Sequence, residues 1–361
     1  MGDFEYRLTS MSVGAAPAAQ GATYPWGFRA SPSVRLNIDN FFTELRLEGF
    51  VGYDPLTPIG AHYFDASPSS TISDQAPVSA VVYKPADAAD QLRAYFGIRQ
   101  FTLGYRFTPD FQIRFGRNRY DLTESDRLMM TNTYTWQSQF ADVLVPLHWL
   151  GGELRYDRVR PTETARQLML SASAWNGAGS SVMGMGQGLV TFALADGPNA
   201  SRLTFTTYVS LRRNPQPATG PALQDPGFTH GEGFATQFDY DFFTSAIALS
   251  HSYNSSHSGP GLRVTDERTV ASLLLDFHPG NWRFHGIASF LSRDQASDAD
   301  NQPPKGQTEF DTEVTAGYRI VDGFVLSLGY RGEYGPIPNH MAFLGISTSF
   351  NGRIPFSPRP N

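Results

Sequence analysis

The 361-residue chain has no cysteine, which excludes a disulfide framework and any thiolate metal site. Lysine is nearly missing too, at Lys84 and Lys305 alone, so the basic charge is carried by arginine. No run of 18 apolar residues occurs, and that rules out a membrane-spanning helix. It says nothing against a β-barrel, whose strands cross a bilayer with ~9–11 residues each and show only alternate ones to lipid. The formal net charge of −6 argues against a nucleic-acid partner, which would want a basic surface. The eight histidines form no His-x-His or His-x-x-x-His pair, and no Gly-x-Ser-x-Gly elbow is present, so a metal or serine-hydrolase signature is lacking. The acids Asp294, Asp298 and Asp300 have no ordered ligand spacing, and Gly184-Met185-Gly186-Gln187-Gly188 lacks the strand and helix that a phosphate-cradling loop needs. Nothing calls for a cofactor. The chain opens Met1-Gly2-Asp3-Phe4 and passes straight into alternating residues, the appearance expected of a mature chain behind an initiator Met.

What the chain does have is alternation. In "FVLSLGYRGEYGPIPNHMAFLGISTSF", residues 324–350, Phe324, Leu326, Leu328 and Tyr330 share one face of a period-two strand. Ser327, Arg331 and Glu333 share the other. Proline cannot donate to a ladder and so punctuates such runs. Sorting on this basis predicts sixteen strands, near 4–12, 33–39, 42–53, 92–107, 111–119, 147–158, 167–175, 187–195, 202–212, 233–241, 243–253, 268–277, 282–291, 309–320, 324–334 and 340–350.

The gaps alternate in length. After even strands they are short, as at Thr108-Pro109-Asp110 and Val321-Asp322-Gly323; after odd strands most are long, at 13–32, 54–91, 120–146, 213–232, 254–267 and 292–308. Short turns on one rim and long loops on the other are the habit of outer-membrane barrels, and an even count puts both termini on the short-turn side, the periplasm. A soluble sandwich would also alternate. Its core, however, would have to bury Glu44, Arg46, Glu48, Arg212, Asp311, Glu313 and Arg319, at high cost. The predicted class is therefore an all-β, sixteen-stranded transmembrane antiparallel barrel over residues 1–350, with a C-terminal extension at 351–361 and a bacterial outer-membrane location.

"FQIRFGRNRYDLTESDRLMM", then "LGGELRYDRV" and "LMLSASAWNGAG", between Phe111 and Gly179, resemble the phosphate-selective porin O and P family. The resemblance implies a sixteen-stranded trimeric porin whose third extracellular loop folds into the lumen. Two features differ: Asn118-Arg119-Tyr120 stands where members usually have a proline, and the family's lumenal lysine cluster has no counterpart.

By parity the wet face carries Arg7, Arg35, Arg46, Arg106, Arg114, Arg155, Arg212, Arg283, Arg319 and Arg331, with Glu5, Asp39, Glu44, Glu48, Glu153, Asp157, Asp311, Glu313 and Glu333. Arginine suits a pore wall, since it stays charged and its planar fork binds carboxylate or phosphate bidentately. Arg46 has Glu44 and Glu48 on its own strand face, and Arg155 has Glu153 and Asp157, so both should be neutralised. Arg106 and Arg114 lack such neighbours and should be freest to meet an anion. Residues 120–146 carry Leu128, Met129, Met130, Tyr134, Trp136 and Phe140, an aromatic surface to bury inside the lumen; Asp121, Glu124, Asp126 and Arg127 would then line a constriction. The function this implies is passive diffusion of small polar or anionic solutes, without enzymatic activity. The expected partners are outer-membrane lipid, lipopolysaccharide and further copies in a homotrimer. A barrel serving as sheath or assembly partner for another protein is the alternative, and a barrel hydrolase using His285 and Ser289, on one face, ranks third.

Overall fold

The computed structural model describes residues 2–17, 26–53, 92–117, 150–176, 182–195, 200–213, 228–259, 262–297, 305–334 and 339–356. They form sixteen strands: β1 Gly2–Pro17, β2 Trp26–Ile38, β3 Phe41–Tyr53, β4 Leu92–Arg106, β5 Phe111–Arg117, β6 Leu150–Val159, β7 Ala165–Asn176, β8 Val182–Ala195, β9 Ser201–Arg213, β10 Phe228–Tyr240, β11 Phe243–Gly259, β12 Leu262–Phe277, β13 Trp282–Ser297, β14 Lys305–Val321, β15 Phe324–Tyr334 and β16 Asn339–Phe356. Each pairs antiparallel with its sequence neighbours, and β1 closes on β16. Closure removes the two sheet edges that would otherwise expose unpaired backbone groups to hydrocarbon.

The register sets the rims. Gly2 lies opposite both Phe356 and Ile38, so the two chain ends sit beside the β2–β3 turn. All seven connections that follow an even strand are on this rim. The turns take left-handed backbone where they are tightest: Asp39, Asp241, Gly280 and Gly323 have φ of 49°, 34°, 61° and 78°. At Gly323 the demand is also steric, since a Cβ there would stand 2.4 Å from the Ser349 carbonyl oxygen.

Several expected gaps shrink. The gap 254–267 is mostly strand, with β11 running to Gly259 and β12 starting at Leu262; β1, β2, β13 and β14 likewise extend into 13–32 and 292–308. The added stretches of β11 and β13, 254–259 and 292–297, are polar on both faces, so the apolar alternation that betrays a strand fades there while the ladder continues. Residues 351–356 belong to the barrel and not to an extension: they continue β16 and pair with β1. Beyond 356 the chain lies outside the described residues, as does the loop 120–146.

The two faces separate cleanly. Leu103, Phe115, Leu154, Leu170, Val209, Ile247, Leu273, Val314, Leu328 and Leu344 all point outward and exposed. Together they form an apolar surface far larger than the few hundred Å² a water-soluble monomer tolerates. Above the short turns the outer face carries a belt of aromatic rings. Phe41 meets Tyr105 at 4.7 Å between centroids, Tyr105 meets Phe107 at 5.0 Å, Phe242 meets Phe277 at 5.3 Å and Trp282 meets Tyr318 at 4.9 Å. Such belts sit where hydrocarbon gives way to polar headgroups. The inner face is Ser, Thr, Gln, Arg and acids, interrupted by Met169, Met183, Ala246, Leu274 and Ile287.

Strand β4 changes face midway. Arg46 pairs with Gln100 but Leu47 pairs with Ile98, leaving Arg99 as a bulge. Ile98, Phe101 and Leu103 therefore all face outward, and parity counted through the bulge would have inverted one half of the strand.

Candidate functional site: the arginine-bearing lumen wall

Strands β2 to β6 carry most of the described lumenal arginines, and the ladder decides which of them keep a free charge. Arg114 lies opposite Glu153, and their side chains form an ion pair at 3.4 Å, with Glu153 only 4% exposed. The sequence expectation that Arg114 stands unpaired is thus overturned. Its acid is on the next strand, where same-strand parity does not look. Arg155 is held by Asp157 at 2.8 Å, as expected, although Glu153 is not part of that pair.

Arg35 and Arg106 are different. Both guanidinium groups stack on the Phe42 ring, with their carbons 5.3 and 4.7 Å from its centroid. Arg106 Nη2 donates to Asn37 Oδ1 at 3.2 Å, and Asn37 Nδ2 donates to Asp3 Oδ1 at 2.6 Å, which fixes the amide's orientation. Asp3 is in turn bound by Arg353, whose Nε also lies 3.7 Å from Glu5. Neither Arg35 nor Arg106 has a carboxylate within ion-pair distance among the described residues. Glu44 stands across the ladder from Arg35 without pairing to it, and the buried Arg35 Nε has no hydrogen-bond partner. Each cation–π contact is worth about 0.5–1 kcal/mol at an exposed site, so the ring orders both side chains without neutralising them.

Phe42 can lie flat because of one glycine. It faces Gly104 across the β3–β4 ladder, and a Cβ at Gly104 would fall 2.1–2.6 Å from three atoms of the ring. Phe42 shares its strand face with Glu44, but an aromatic there carries no sign of what it supports. Gly104 and Asn37 had no signal in the sequence at all.

The other expected wall residues divide as follows. Arg46 and Glu44 face the lumen in register with Gln100 and Thr102. Glu313 is fully buried on the lumenal side, across from Arg331. Arg319 is at the short-turn rim, where Nη2 donates to the Gly280 carbonyl at 3.2 Å and to Asn281 Oδ1 at 3.3 Å, so it ties neighbouring turns together. The strand positions of Glu48, Arg212 and Arg331 agree with a lumenal face, but their side chains lie outside the described residues, as do Asp121, Glu124, Asp126 and Arg127 altogether.

A second group of charges lies on β10 to β13. Asp276 accepts a bidentate pair from Arg283, at 3.0 and 2.6 Å; Asp239 is held by neutral donors, Gln237 at 2.9 Å and Thr244 at 2.8 Å. His285 Nδ1 is 3.6 Å from Asp276 Oδ1. Ser289 Oγ bonds Ser272 Oγ at 2.7 Å two ladder steps away, so the described residues assemble no Ser–His dyad. No cluster of three or more His, Asp or Glu that could hold a metal ion occurs among them either.

No family model matches the chain, and no curated protein does. Solved structures do. The loop L8 deletion mutant of OmpT, an outer-membrane protein of Vibrio cholerae, superposes with a TM-score of 0.57 at 9% identity, covering 97% of this chain and 99% of that one. The trimer form of in-vitro folded OmpT gives 0.51 at 9% identity, over 97% and 99%. The outer-membrane channel DcaP of Acinetobacter baumannii gives 0.53 at 11% identity, over 97% of both chains. At these identities the likeness concerns architecture: the chain has the closed sixteen-stranded fold of bacterial outer-membrane barrels.

Proposed function

We propose that the protein is an outer-membrane porin through which small polar and anionic solutes diffuse passively. The observation that carries this reading is the Arg35–Phe42–Arg106 plate: two ordered cations with no carboxylate in ion-pair contact, on the wet face of a barrel whose outer face suits lipid. A local positive site raises the concentration of passing anions even where the remaining wall charges cancel. The porin O and P resemblance of residues 111–179 supports a channel that is at most modestly selective, with any anion preference carried by arginine, since the family's lysine cluster has no counterpart. In this reading the short-turn rim and both termini face the periplasm, and the outer face meets lipid and, on the outer leaflet, lipopolysaccharide. Residues 120–146 fold inward as the constriction. Homotrimeric assembly is supported by the resemblance and by the trimer form of OmpT.

Conductance of purified protein in planar bilayers tests the function. Stepwise, ohmic single-channel currents with an anion bias in a KCl gradient are expected. A correctly folded barrel that inserts and conducts nothing would overturn the porin reading and favour a sheath or assembly role.

A further inference from the structure

Of the seven connections on the short-turn rim, one is basic. The turn from β6 to β7 carries Arg160 and is flanked by Arg158 and Arg166; the other six connections hold no arginine or lysine, and five of them carry an aspartate, at Asp39, Asp110, Asp196, Asp241 and Asp322. Beside this turn, on the outer face of β6 to β9, runs an apolar furrow of about 540 Å³. Leu154, Leu170 and Val209 wall it, and Gly186 and Gly188 form its floor. Phe111 and Tyr156, paired across β5 and β6, stand at the end nearer the turn. Resting on the orientation given by the porin reading, we propose that this wall binds one anionic phospholipid of the periplasmic leaflet, with its phosphodiester on Arg158 and an acyl chain laid over Gly188 and Gly186.

Three features point that way. First, the barrel itself does not need the furrow's floor to be bare. A Cβ at Gly186 would stand 3.7 Å from Val209 Cγ1, and one at Gly188 3.6 Å from Leu170 Cδ2 and Thr207 Cγ2, all ordinary contacts, in contrast to the clash at Gly104. The room is left for a group outside the chain, and at this depth in a bilayer that group is an acyl chain. Second, the level is right. Phe111 belongs to the aromatic belt, 5.6 Å from Phe107 between centroids, so the furrow ends where hydrocarbon meets headgroups. Third, the charge is complementary. Arg158 follows Tyr156 on the same outward face of β6, and three arginines at this turn stand against two acids, Asp110 and Glu163. Arg160 is held by Asp110 at 2.8 Å. Both bonds from Arg158 to Glu163, at 2.8 Å, come from Nη2 alone, so this acid does not engage Nη1 and Nε. A planar fork of that kind suits a phosphodiester.

Native mass spectrometry of the purified barrel with added dioleoylphosphatidylglycerol or dioleoylphosphatidylcholine reads the site. Wild-type protein should retain phosphatidylglycerol at a concentration about 5-fold below that needed for phosphatidylcholine. Arg158→Gln should bring the two lipids within about 2-fold of each other, and Glu163→Gln, which releases the Arg158 fork, should widen the preference. Gly186→Leu, whose side chain fills the furrow, should weaken retention of both lipids about 10-fold; Arg158→Gln, at an exposed rim, stays informative if that variant does not fold. Equal retention of the two lipids in wild type, or phosphatidylglycerol retention unchanged in Arg158→Gln or in folded Gly186→Leu, would overturn the site. Loss of oligomers in Gly186→Leu with lipid retention intact would overturn it too, and make the furrow a contact between copies. Labelling of an Asp322 tag on intact cells would overturn the leaflet assignment and this proposal with it, whereas a barrel that conducts nothing yet shows the lipid preference would overturn the porin function and support the site.

Discussion

Gly104→Ala tests whether the plate is built as described. The added Cβ would fall 2.1, 2.3 and 2.6 Å from Phe42 Cζ, Cε1 and Cε2, all below any real contact, and it projects from a strand backbone that the ladder holds in place. The ring must therefore leave. Phe42 is 4% exposed, so moving it forfeits packing as well as both cation–π contacts. Overpacking of this kind costs ~1–3 kcal/mol, and losing two stacked guanidinium groups adds about 1–2 kcal/mol. The expected outcome is a barrel destabilised by roughly 2–5 kcal/mol on those combined terms, still folded, with weaker anion selectivity because Arg35 and Arg106 are no longer held together. Urea unfolding in detergent micelles measures the first effect and the reversal potential in a KCl gradient the second. A double-mutant cycle with Phe42→Ala isolates the cause, because the clash vanishes once the ring is gone. If Gly104→Ala costs as much in the Phe42→Ala background as in wild type, or costs nothing in wild type, the contact between ring and glycine is not what supports the site.

Arg106→Gln should move the reversal potential toward cations with little loss of stability, since its partner Asn37 is neutral; an unmoved potential would refute the assignment of a free charge. Arg114→Gln should instead act on stability. It leaves Glu153, 4% exposed, without its cation, at a cost of about 1–3 kcal/mol or more, and an unfolding midpoint equal to wild type would contradict that. Leu273 points outward in the middle of the apolar band, so Leu273→Arg should destabilise the barrel in bilayers by ~2–4 kcal/mol, whereas a neutral effect would place that face in water. Epitope tags at Pro68 and Asp322 in intact cells should be labelled and protected respectively, and labelling at Asp322 would invert the proposed orientation. Deleting 126–138 should raise single-channel conductance, while an unchanged value in a folded barrel would remove this segment from the constriction.

Much of the barrel was legible locally, for a physical reason. Strand side chains alternate with period two, and a strand with lipid on one side and water on the other must write that alternation into its residues. Leu45, Leu47 and Val51 against Glu44, Arg46 and Glu48 needed no tertiary information, nor did the turns at Thr108-Pro109-Asp110 and Val321-Asp322-Gly323. The pattern failed where its cause failed. Beyond the apolar band both faces of β11 and β13 are polar, so the strand ends at Gly259 and Ser297 looked like loop.

The charge state of the wall needed the fold. An ion pair between strands depends on register, which no single strand encodes: Arg114 meets Glu153 only because β5 and β6 align Gln112 with Arg155 and Phe115 with Gly152. The bulge at Arg99 likewise exists only as a mismatch between two strands. The Phe42 plate needs three strands at once, with Arg35 on β2, the ring on β3, and Arg106 beside the missing side chain of Gly104 on β4. Sequence alone indicated the face of an arginine on an unbulged strand, because that follows from the strand's own alternation. Tertiary structure decided which arginines meet a carboxylate, as Arg114 meets Glu153, because that follows from what the neighbouring strands bring alongside.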